Sequence, residues 1–206
     1  MLYNVPILKS PEDLSKYPFF SVDQFNWGGD YRPVTTGRLG FLPDDGFLLI
    51  MECQESNPCR IYTKDNEPVY LDSAMEAFFC FSPKDTPPCY LNFEINANGA
   101  MLASYGKNRK ERTPFSDTAK KGLCCQAQIC NDFWSIKLML PISLLTMVYP
   151  GLTLQSGSRF TCNFYKIKES EGLTHFASFA PITAPEPDFH LPEYFAHAQI
   201  HELPPA

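Results

Sequence analysis

Two glutamates and two asparagines stand at alternating positions in a pair of apolar runs, AMEAFFCF at 74–81 and YLNFEINA at 90–97. Successive side chains on a strand point to opposite faces. Paired as strands, these runs put Met75, Ala77, Phe79, Phe81, Leu91, Phe93 and Ile95 on one face. The other face carries Glu76, Phe78 and Cys80, opposite Tyr90, Asn92, Glu94 and Asn96. Residues 82–89, with three prolines and a Lys-Asp pair, cannot continue a ladder and read as the long tip of a hairpin. Symmetric pairing about Asp85 sets Met75 against Ile95, Ala77 against Phe93 and Glu76 against Glu94. A slip of one residue would set apolar positions against polar ones. Two carboxylates facing each other across a ladder repel, so the pair requires a proton, a cation or a ligand that donates hydrogen bonds. The basic run GKNRKERTPFSDTAKKG reads first as a solvated loop, and Arg109 or Arg112 within it is placed to reach back and neutralise Glu76 and Glu94.

The elements that position these residues read as strands. The chain has 206 residues, 14% aromatic content and 19 prolines, with short apolar runs bounded by Pro, Gly, Asn and Asp. That pattern predicts one all-β domain over residues 1–206, an antiparallel β-sandwich with one or two short helices. A chain of this length buries roughly 70% of its extended surface and needs no staple. Further strands are expected at 46–53, 59–64, 100–105, 123–130, 133–140, 159–166, 175–179 and 194–202. The first two of these pair as a second hairpin, and 123–130 pairs with 133–140 around Asn131 and Asp132. Short helices are expected at 10–16, where Pro11 follows a capping Ser10, and at 142–148. Trp27 and Tyr31 read as isolated aromatics that anchor a loop. The segment 180–195 is too rich in proline for a ladder and too aromatic for a free tail. It must lie against the protein, where Phe189 and His190 would wall a cleft.

A net charge of −6 argues against a nucleic-acid partner. No stretch has the length of a membrane-spanning helix, and the amino terminus has no basic leader or long apolar run, so a cytoplasmic protein without a membrane partner is expected. The sequence names no protein partner. None of the eight cysteines forms a C-x-x-C pair, and reduced, buried thiols are expected. The four histidines lie in the last quarter of the chain without the spacing of a metal-ligand set.

The tail HFASFAPITAPEPDFHLPEYFAHAQIHEL, together with VYLDSAMEAFF, CYLNFEINANG and RFTCNFYK, resembles family 9 carbohydrate-binding modules, and more closely their stand-alone family 9-like branch. The matching blocks run from about residue 50 to 203. The resemblance implies a DOMON-like, jelly-roll-like sandwich that binds a mono- or oligosaccharide without catalysis, in association with carbohydrate catabolism. It also implies calcium as a candidate cofactor, for which Asp65, Glu67 and Asp72 are weak candidates. In the founding modules a sugar lies between two tryptophans, assisted by a glutamate and an arginine. Here Tyr70 takes the first tryptophan position, six residues before Glu76 at the glutamate position, and Phe189 within FHLPEYF takes the second. Glu94 stands where the family has arginine, which reverses the charge.

Sugars present C–H faces to aromatics and hydroxyls to carboxylates and amides. Tyr70, Glu76, Asn92, Glu94, Asn96 and Phe189 are therefore the predicted carbohydrate site, with Arg112 as charge partner. Two alternatives belong to other classes. Glu76 and Glu94 could form a glycoside hydrolase pair, for which retention requires a separation of roughly 5 Å, although both would sit on one flat strand pair. A haem-binding DOMON-like protein would use an axial Met and His, for which Met101 and His175 are the candidates.

Overall fold

A computed structural model describes residues 1–204 apart from 83 and 121, and in it the chain forms two facing sheets with a few short helical segments. In chain order the first strands are β1 (Leu2–Pro6), β2 (Phe20–Ser21), β3 (Gln24–Gly28), β4 (Thr35–Leu42), β5 (Gly46–Cys53), β6 (Ala74–Cys80) and β7 (Tyr90–Asn96). They continue as β8 (Met101–Gly106), β9 (Arg112–Pro114), β10 (Cys124–Ile129), β11 (Trp134–Pro141), β12 (Arg159–Lys168), β13 (His175–Ser178) and β14 (Ala196–His201). The larger sheet has the order β1-β14-β12-β6-β7-β8-β9, with β13 beside β12 and β3 beside β13. The smaller sheet has the order β10-β11-β5-β4-β2. The architecture is the expected all-β sandwich. Its departure from antiparallel pairing is β1, which lies parallel to β14 along one side of the larger sheet.

The central hairpin has the predicted register, with Met75 opposite Ile95, Glu76 opposite Glu94 and Ala77 opposite Phe93. The facing sides of the sheets form one apolar core. Phe79 packs there against Phe47, Phe93, Phe160 and Phe164. Strands β10 and β11 and the helix Ile142–Val148 also stand close to where the periodicity places them. The predicted 10–16 helix is a 3-10 helix, Pro11–Lys16, with Asp13 Oδ2 accepting the Ser10 N–H at 3.1 Å.

Three expectations fail for identifiable reasons. Residues 59–64 form no strand, because carboxylates capture their backbone donors. Asp72 accepts the N–H groups of Ile61 and Tyr62, and Glu67 Oε2 accepts those of Thr63 and Lys64. Strand β5 pairs with β4 and β11 instead. Trp27 is not a loop anchor but part of β3, opposite Phe176 of β13, and its indole N–H donates to the Ala184 carbonyl at 3.1 Å. All eight cysteines are free, but only Cys53, Cys80 and Cys162 are buried, while Cys124 on β10 is exposed.

The outer side of the larger sheet is covered by a second apolar layer. Segment 179–195 lies across it, bringing Ile182, Phe189 and Phe195 onto Phe78, Tyr90 and Tyr165. Buried side chains pin that irregular backbone. Asn163 donates to the Ala180 carbonyl and accepts the Ala180 N–H, and Tyr165 donates to the Phe189 carbonyl. Each bond satisfies a backbone group that has no ladder partner. No helix of the described residues is long and apolar enough to cross a membrane.

Candidate functional site

A cavity of about 470 Å³ opens beside this covering layer. Five parts of the chain build it. Strands β6 and β7 present Glu76 and Glu94, the 3-10 turn Val69–Leu71 presents Tyr70, and the β8–β9 turn with β9 presents Arg109, Lys110 and Arg112. The covering segment adds Asp188, Phe189 and His190, and Glu169 follows the end of β12. The Glu169 N–H donates to the Tyr70 carbonyl at 3.0 Å, which ties that turn to the end of β12.

Glu76 and Glu94 are 2% and 3% exposed, yet both reach the cavity. Arg112 Nη1 donates to Glu94 Oε1 at 3.2 Å and Asn92 Nδ2 donates to the same oxygen at 3.0 Å. Burial pushes the Glu94 carboxyl up to about 7 against the pull of Arg112. Glu76 rises further above the ordinary carboxylate range, through burial first and then the charges of Glu94 and Glu169. No hydrogen bond reaches its carboxyl among the described residues. Burial and the neighbouring carboxylates thus favour the protonated form of Glu76, whereas Arg112 favours the ionised form of Glu94.

His190 joins the two sides. Its Nδ1 lies 2.9 Å from the Tyr90 hydroxyl, and its Nε2 lies 3.3 Å from Arg112 Nη1. Arg112 can only donate, so Nε2 accepts and the ring is the neutral tautomer protonated on Nδ1. Burial and the two arginines push the His190 pKa down to about 2, which keeps it neutral.

The structure separates the predicted site residues. Tyr70, Glu76, Glu94, Phe189 and Arg112 line the cavity. Asn92 does not, but it holds Glu94 from behind, with its own Oδ1 buried and unpartnered. Asn96 is a correction. Its amide donates to Tyr62 O and Asp72 Oδ2, and its oxygen accepts the N–H groups of Asn98 and Ala100, so it organises the β7–β8 turn. Phe189 is also used differently from expectation. One ring face stacks on Tyr165, with centroids 4.1 Å apart and planes at 14°, and no ring contact joins it to Tyr70 among the described residues. Only part of that ring remains for a ligand. Asp188 and Glu169 are absent from the predicted set, whereas His190 stands on the cavity wall as the sequence reading expects. His190 carried a signal in FHLPEYF, while Glu169 reaches the cavity only because β12 runs beside β6.

The calcium candidates do not form a donor set. Asp72 is fully buried and accepts backbone and amide hydrogens, Glu67 accepts two N–H groups, and Asp65 accepts the Met101 N–H while facing Lys120. Among the described residues no three His, Cys, Asp or Glu side chains are grouped to hold a metal ion. The haem pair is likewise apart. Met101 lies in the core between the sheets, and His175 is held at both nitrogens, by Lys166 Nζ at 2.7 Å and the Leu173 carbonyl at 2.6 Å.

The fold is shared with solved structures. A candidate carbohydrate-binding protein from Bacteroides uniformis superposes with a TM-score of 0.85 over 97% of this chain and 99% of its own, at 21% identity. A family 9 carbohydrate-binding module from Caldicellulosiruptor kristjanssonii, solved with glucose, gives a TM-score of 0.68 at 9% identity, covering 99% of this chain and 97% of that one. The same module with cellotriose gives the same score and identity, covering 99% and 95%. No curated protein matches the chain significantly. The family model described as carbohydrate-binding family 9 matches residues 7–200, nearly the whole sandwich from before the first 3-10 helix to within β14, and the chain belongs to that family.

Proposed function

We propose that this chain binds a mono- or oligosaccharide in the cavity above Glu76 and Glu94. The observation that carries this reading is the Glu76 carboxyl, buried at the cavity wall with no hydrogen-bond partner among the described residues. Its oxygens open on the cavity without a protein donor, so a ligand hydroxyl can donate to them, each such bond contributing about 0.5–1.5 kcal/mol net. Glu94 presents acceptors and Arg112 donors, as sugar hydroxyls require, and neutral His190 braces Arg112. Tyr70 and Phe176 add apolar surface for the C–H faces of a sugar ring. The volume lies within the roughly 300–1,000 Å³ of small-ligand sites. Family membership and the glucose and cellotriose complexes of a similar module support the same reading.

The two carboxyls rise side by side from neighbouring strands, and Glu94 is tied to Arg112 and Asn92. A hydrolytic pair must flank a scissile bond, so this arrangement supports binding without catalysis. A supporting role in carbohydrate catabolism is part of the proposal. Isothermal titration with glucose, cellotriose and a panel of other hexoses and oligosaccharides is the test. Saturable binding that Glu76→Ala weakens at least about tenfold, or about 1.4 kcal/mol, is expected with the circular dichroism spectrum unchanged. Failure of every sugar to bind at millimolar concentration would overturn it.

A further inference from the structure

The polar groups around the cavity are unbalanced in one direction. Its lining carries four carboxyls, Glu76, Glu94, Glu169 and Asp188, and three cations, Arg109, Lys110 and Arg112. Arg112 is paired with Glu94 at 3.2 Å, Arg109 faces Glu169 at 3.8 Å, and Asp188 accepts the His190 N–H at 2.8 Å. Lys110 is exposed at the rim, where solvent screens it. Of the four lining carboxyls, Glu76 is the one left without a protein donor or cation among the described residues. The hydrogen-bond count has the same bias. Both Glu94 contacts fall on Oε1, which leaves Oε2 without a side-chain donor among the described residues. The missing group at Glu76 is a donor, and when that carboxyl ionises the lining also lacks one positive charge.

A hydroxyl brings a single donor and adds acceptors of its own, whereas an ammonium brings three donors, no acceptor and the missing charge. We propose that the cavity selects a carbohydrate bearing a free amino group, whose ammonium sits against Glu76 on the side of Glu94. The inference rests on the carbohydrate reading of this site and names the sugar class. The ammonium replaces the proton that Glu76 otherwise holds, and it forms a charge-assisted hydrogen bond in a site shielded from water. N-acetylation removes the charge and two of the donors, so N-acetyl sugars lose the advantage.

Glucosamine, galactosamine and mannosamine, each beside its parent hexose and its N-acetyl derivative, are the probes for titration calorimetry near neutral pH. At least one amino sugar is expected to bind about tenfold more tightly than its parent, with the N-acetyl form no tighter than the parent. Glu76→Gln, which keeps the shape of the side chain, should bring the amino sugar and the parent hexose to within about twofold while the parent still binds. Its melting temperature reports whether it folds. Parent and amino sugars binding equally to the wild type would overturn the amino-sugar inference and leave carbohydrate binding standing. A preference that survives Glu76→Gln would also overturn it, because the ammonium would then sit elsewhere. No binding by any sugar would overturn both readings.

Discussion

Glu76 is a residue held in place by its strand at a cost to stability. Its folded-state pKa lies above the ordinary 4.5, so the unfolded chain ionises first as pH rises. The stability associated with it is therefore complete below about 4.5 and declines as pH increases toward the folded value. Glu76→Gln removes this penalty, and its advantage over the wild type should widen from pH 4.5 upward in urea unfolding at several pH values. A constant gap would mean that a donor already neutralises the group. Arg112 acts in the opposite direction on the neighbouring strand. It holds Glu94 down against burial, so Arg112→Gln should raise the Glu94 midpoint further above about 7 in a carboxyl-carbon NMR titration. The alternation of the sequence made both glutamates legible. It could not reveal which one the arginine would choose, because that depends on where β9 leaves the β8–β9 turn.

At the scale of elements, a buried polar network closes one end of the sandwich. Lys166 on β12 lies 3.2 Å from Glu55 Oε2, 2.7 Å from Ser73 Oγ and 2.7 Å from His175 Nε2, and it is fully buried. Glu55 also accepts from the Trp134 indole, the Ser73 hydroxyl and the Tyr31 hydroxyl. The network thereby joins the segment after β5 to the starts of β6, β11 and β13. Glu55→Gln leaves the Lys166 charge buried without its counter-ion and should destabilise the protein by about 3–5 kcal/mol in urea unfolding. Gly46, opening β5, has φ +138°, and a Cβ there would approach the Leu140 carbonyl oxygen to 2.1 Å. Gly46→Ala should therefore cost more than about 1 kcal/mol by the same measurement. Neither feature was legible in the sequence, where Lys166 reads as an ordinary strand residue and His175, nine positions on, as a candidate haem ligand.

For the whole molecule, the shared core of the two sheets sets cooperativity. Phe79 touches aromatic side chains from both sheets, so Phe79→Ala should cost about 3–5 kcal/mol. A chain organised as one unit is expected to unfold in a single calorimetric transition; two resolved transitions would divide it. What the sequence by itself determined was local: the hairpin register, the apolar face of β6 and β7, the pairing of β10 with β11 and the placing of Glu76 opposite Glu94. Period-two patterning and turn residues act between near neighbours, so these features are written in adjacent positions. Only the tertiary structure decided that Asn96 belongs to a turn, that Phe189 rests on Tyr165, and that residues 59–64 give their hydrogen bonds to carboxylates. It also brought Glu169 to the carboxyl pair and gave Arg112 to Glu94. Each of these depends on which distant segment supplies the competing partner, and that competition is resolved only when the two sheets and the covering segment have packed.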